Sequence, residues 1–92
     1  MKFFDDRTPE EKTTHPIIVV GTDSFMSGWG EAKGGVSYAG WACRHDDVDR
    51  VKSWVSSRPE MKRVRIVGNS WRPKGVGHTQ VYVVHDDHPS LR

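Results

Sequence analysis

The chain has 92 residues, of which 35% are hydrophobic, 10% aromatic and 28% charged. That length holds one domain with a small core, burying about 60–65% of the unfolded surface, and excludes a two-lobed enzyme, a (β/α)₈ barrel and a full dinucleotide-binding fold. A formal net charge of +2 is by itself too weak to argue for nucleic acid.

Residues 1–14 are polar and charged, with Pro9 among them and no firm period. They read as a flexible or loosely docked arm that Phe3 and Phe4 are able to anchor. The start turns acidic at once, at Asp5 and Asp6, and has no apolar stretch of signal-peptide type. Ile17–Thr22 is a β-branched run that follows Pro16 and has Gly21 near its end. It predicts a strand that is central or buried on both faces. Residues 23–35 are rich in glycine, and Gly34-Gly35 suits the tight turn of a hairpin. The stretch has neither the G-x-x-x-x-G-K-[ST] nor the G-x-G-x-x-G pattern, so it is not a phosphate cradle. Its Phe25 and Trp29, if exposed, are anchors for a protein partner.

Val36–Arg44 predicts the second strand, with Tyr38, Gly40 and Ala42 on one face and Ala39, Trp41 and Cys43 on the other. The small residues call for a neighbour packed closely across them. Residues 46–57 predict the one helix, capped by Asp46 or Asp47 and ended by Pro59. Val48, Val51, Trp54 and Val55 form its apolar stripe. Met61–Gly68 predicts a third strand, with Val64 and Ile66 on one face and Arg63, Arg65 and Val67 on the other. An irregular loop follows, then a last strand over Thr79–Val84 and a polar tail.

The fold expected is α+β, in the order β-β-α-β-β. One helix packs on one face of a four-stranded, mostly antiparallel sheet. The last two strands most simply form a long hairpin. Residues 15–85 make the domain, between the arm at 1–14 and the tail at 86–92.

The basic charge is concentrated. From Arg58 to Lys74 there are six basic residues and one acid, Glu60. Arg63 and Arg65 alternate along a strand, and Trp71, Arg72 and Lys74 follow in a glycine-bounded loop. An aromatic among cations is what a single-stranded nucleic acid or a nucleoprotein complex engages, through phosphates and a stacked base. The competing reading folds Trp71 back as a lid on the core, with the arginines merely solvating the sheet.

Catalysis finds no support. Cys43 and His45, two apart on a strand, lie about 6.5–7 Å from each other, beyond hydrogen-bond reach. Structural zinc wants four ligands with thiolates among them, and the one thiol is Cys43. His78, His85 and His88 gather toward the C-terminus without such a set. The sequence therefore points to a small non-catalytic binding protein with no cofactor and no metal. The candidate binding residues are Arg63, Arg65, Trp71, Arg72, Lys74, Phe25 and Trp29. Its target is nucleic acid or a nucleoprotein complex. The alternatives are a protein–protein adaptor or inhibitor that uses its exposed aromatics, and a small enzyme or metal-binding protein. A lone cysteine fits a reducing cytoplasm, and no run is long enough to span a membrane.

Overall fold

A computed structural model describes residues 2–23, 38–72 and 78–92. Its elements are β1 (Lys2–Asp5), α1 (Pro9–Thr14), β2 (Ile17–Asp23), β3 (Tyr38–Cys43), α2 (Val48–Ser56), β4 (Met61–Gly68) and β5 (His78–Val83). Single 3₁₀ turns precede α2, at His45–Asp47, and close the chain, at Pro89–Leu91. The strands form one five-stranded sheet in the order β1-β5-β3-β2-β4. β2 pairs antiparallel with β3 and β4, whereas β5 pairs parallel with β3 and β1.

Three expectations are corrected here. The sheet has five strands and is mixed, not four strands and mostly antiparallel. Two α-helices lie among the described residues, not one. β4 and β5 are not a hairpin, because β2 and β3 lie between them. The antiparallel register of β2 with both β3 and β4 leaves β4 running in the same direction as β5, and parallel strands need a crossover rather than a tight turn.

The extra strand and helix come from residues 2–14. Phe3 stands beside Thr79 in β5 and packs on the core, while Phe4, on the opposite face, is 45% exposed. Thr8 caps α1 through a reciprocal pair of bonds. Its hydroxyl accepts from the Glu11 N–H, and its own N–H donates to the Glu11 carboxylate, with Pro9 opening the helix.

The sheet buries both faces. On the helix face, Val19, Trp41, Cys43, Met61 and Val84 pack with Val51 and Val55 of α2, and Val48 and Trp54 fill the margin. The expected stripe is therefore in phase. Asp47, however, does not cap α2: its backbone is helical and its carboxylate accepts from Arg50 at 2.7 Å. On the other face, called the loop face, Ile18, Val20, Ala42 and Val81 form a second cluster, covered by Phe3, Tyr38, Val67 and Trp71. Gly40 is what lets this cluster close, since a Cβ there would sit 2.9 Å from a methyl of Ile18.

β4 carries an irregularity that changes which side chains share a face. Val20 stands opposite Arg65 and Thr22 opposite Lys62, so Arg63 and Val64 together oppose Gly21. This is a β-bulge, and Arg63 adopts a left-handed backbone with φ 53°. Arg63 therefore leaves the row of Arg65 and Val67, and Lys62 joins that row instead. A left-handed backbone costs an L-residue about 1–2 kcal/mol, and most for a β-branched side chain. Arg63 already bears that cost and glycine escapes it, so the urea-unfolding free energy of Arg63→Val is expected to lie about 1–2 kcal/mol below that of Arg63→Gly. Equal stability of the two variants would contradict the bulge.

Candidate nucleic-acid interface

The loop face is where the predicted residues meet. The chain leaving β4 turns at once, the Trp71 N–H donating to the Gly68 carbonyl at 3.1 Å. Trp71 then lies half-buried on the loop-face cluster, edge-on to Tyr38 at 5.8 Å and to Phe3 at 6.4 Å between ring centroids. The Arg65 guanidinium sits over both Tyr38 and Trp71, at 5.8 and 5.9 Å. Arg72 sits over Phe3 at 5.1 Å and donates to the carbonyls of Asn69 and Trp71. Such cation–aromatic contacts hold each guanidinium against a ring without neutralising it.

Trp71 covers the core, as the lid reading expects, and the Arg65 guanidinium sits over its ring. Of the predicted residues, Arg65, Trp71 and Arg72 come together, while Arg63 stands apart in the bulge. Phe25, Trp29 and Lys74 lie outside the described residues, as does the Gly34-Gly35 turn. Sequence reasoning missed Phe3, Tyr38 and Lys62 as members of this surface. Tyr38 was legible by alternation, on the face of Gly40 and Ala42. Lys62 was not, because no residue pattern announces the bulge.

The charges here differ in their partners. Arg7, Arg50 and Arg58 each hold a carboxylate at 2.7 Å. Among the described residues Lys62, Arg65 and Arg72 form no ion pair, and all three are exposed. The pairing of Arg58 with Glu60 means that the positive field of this segment belongs to its later residues.

A buried pin fixes the loop. Arg7 clasps Asp5 with two nitrogens, at 2.9 and 2.7 Å, and donates to the His15 carbonyl and to the Asn69 side chain. The Asn69 amide in turn donates to the Lys12 carbonyl at 2.8 Å. Burial works to raise the Asp5 carboxyl, but hydrogen bonds from the Arg7 side chain and backbone, with its charge, outweigh this and hold the pKa below 3.8. The N-terminal residues therefore support the Trp71 loop twice, through Phe3 and through Arg7.

Cys43 is fully buried, and burial pushes its thiol up to about 11, so it is a neutral core side chain. No three metal-ligating side chains gather among the described residues. No helix there is long and apolar enough to cross a membrane. Compared with known protein families, with characterised proteins and with solved structures, the chain shows no match.

Proposed function

We propose that the chain is a small non-catalytic binding protein that holds single-stranded nucleic acid across the loop face. The observation that carries this reading is Arg65: one guanidinium lies over two aromatic rings and has no carboxylate partner among the described residues. A phosphate arriving there meets a cation already oriented, so little side-chain freedom is lost on binding. Lys62 and Arg72 extend the positive surface along the strand and into the loop, which suits a backbone carrying a charge at every step. Trp71, which is only half-buried, offers an indole for an unstacked base to stack on, a contact available to a single strand and denied within a duplex. Phosphates thus supply most of the affinity, and the aromatic supplies the preference for single strands.

The test is a titration of labelled single-stranded and duplex oligonucleotides. Arg65→Glu is expected to weaken binding to every sequence by about tenfold or more, since it removes one phosphate contact and adds a repulsion. Trp71→Ala is expected to cost about 1–3 kcal/mol on single strands and less on duplex. Absence of binding at low salt, with a salt-resistant protein partner lost on Trp71→Ala, would return the chain to the adaptor or inhibitor reading.

A further inference from the structure

Among the described residues, Thr79 is the one buried side chain with an unmatched polar atom. It is fully buried, and its hydroxyl has no hydrogen-bond partner there. Native proteins leave few such groups, because a buried hydroxyl without a partner forfeits the bonds it made to water.

The sheet register says what surrounds it. Thr79 of β5 stands beside Phe3 of β1 and beside Tyr38 of β3, and alternation puts it on the loop face with Val81. Neighbouring strands lie about 4.8 Å apart, so Phe3 and Tyr38 straddle Thr79. Trp71 is edge-on to both of those rings, which sets its indole above Thr79. The space between Phe3 and Tyr38 thus has the dimensions of a flat bicyclic ring, and an indole occupies it.

That occupant does not match the hydroxyl. An indole carries one N–H donor and no acceptor, whereas a nucleobase carries donors and acceptors around its edge. Trp71 is half-buried, and its backbone bond to the Gly68 carbonyl is kept when the ring turns about its side-chain torsions. Arg65 over Tyr38 and Arg72 over Phe3 flank the space on its two sides. A nucleotide whose base enters there meets a cation for the phosphate on either side.

We propose that a base of the bound single strand takes the place of the Trp71 indole over Thr79 and hydrogen-bonds to the Thr79 hydroxyl, while the indole turns outward and stacks on it. The proposal rests on the nucleic-acid reading and adds a residue that engages the base rather than the phosphates. The base inherits the ring contacts with Phe3 and Tyr38 that the indole gives up, so the exchange turns on the new bond to Thr79. A hydroxyl both donates and accepts, so the site takes a base of any type.

The test titrates a labelled oligothymidylate and an abasic strand of the same length into the full chain, as wild type, Thr79→Val and Thr79→Ser. Thr79→Val should weaken thymidylate binding about three- to tenfold, the worth of one hydrogen bond, and leave the abasic strand unaffected. Thr79→Ser retains the hydroxyl and should bind as the wild type does. Valine also removes the unmatched oxygen, so Thr79→Val should melt about 4 °C or more above the wild type. Equal thymidylate affinity in Thr79→Val and wild type would overturn the proposal and leave the phosphate contacts standing. A loss of the same size on the abasic strand would overturn it too, since Thr79 would then act through the fold. Melting below the wild type would show a hydroxyl already bonded in the free protein and remove the premise. No binding of either strand at low salt would instead remove the nucleic-acid reading itself.

Discussion

Replacing Arg7 with Met is expected to destabilise the protein by about 3–5 kcal/mol, the cost of breaking a buried pair by removing one partner. The Arg7 side chain is 1% exposed and that of its partner Asp5 only 10%. Methionine follows the arginine only as far as Nε, so the loss combines the stranded Asp5 carboxylate, His15 carbonyl and Asn69 side chain with the small void left by the guanidinium. The double variant Asp5→Asn, Arg7→Met should recover part of the loss, because no charge is then stranded. Urea unfolding of the three variants measures this. A loss under about 1 kcal/mol for Arg7→Met would put the pair in the class of exposed ion pairs.

The same pin sets an acid limit. Asp5 titrates below 3.8 when folded, so its contribution is full above that value and is lost as pH falls through the folded pKa. His15 adds an earlier leg. Its ring is buried and bonded to the Thr14 hydroxyl at 2.7 Å, and burial, with the charge of Arg44 next, holds it below 6.5. The unfolded chain takes up that proton first, so stability is full above about 6.5 and declines as pH falls from there. The wild-type curve should descend in two legs, His88 sharing the upper and Glu11 and Glu60 the lower, and Arg7→Met should shrink the lower one.

Trp41→Ala carries the other large expected effect, about 3–5 kcal/mol. Trp41 is 5% exposed and joins β3 to Trp54 of α2, to Tyr82 of β5 and to the Arg58 guanidinium. Its removal leaves a cavity where the helix, two strands and the C-terminal turn meet, and no single neighbour is able to fill it. Trp54 looks similar in the sequence but lies only half-buried at the margin, so Trp54→Ala should cost less, about 2 kcal/mol. Denaturation midpoints compare the two. A larger loss at Trp54 would mean that the helix sits deeper over the sheet than described here.

What was legible in the sequence follows the strength of local pattern. The β-branched run at Ile17–Val20 and the stripe of Val51 and Val55 announce buried elements, and all of these but Ile17, which is partly buried, are fully buried. The first helix has no buried residue and therefore no apolar period to read. Its signal was present in another form, since Thr8, Pro9 and Glu11 spell a capping box with proline in the first turn. β1 has four residues and alternates only through Phe3 and Phe4, too short a run to register. The pairing of β4 and β5 was beyond local reading. A nine-residue link looks like a hairpin loop, and only the sheet order makes it a crossover that lays Trp71 on the loop face. The candidate surface suffered in the same way. Arg65, Trp71 and Arg72 are neighbours in sequence, whereas Phe3 and Tyr38 reach them through long-range pairing.

The most direct test of the nucleic-acid reading is the salt dependence of binding to a single-stranded oligothymidylate. Three phosphate contacts, at Lys62, Arg65 and Arg72, predict that log K falls with log salt at a slope of about −2, and that Arg65→Gln flattens it by about 0.7. A slope near zero in the wild-type protein, or no binding at the lowest salt, would contradict it.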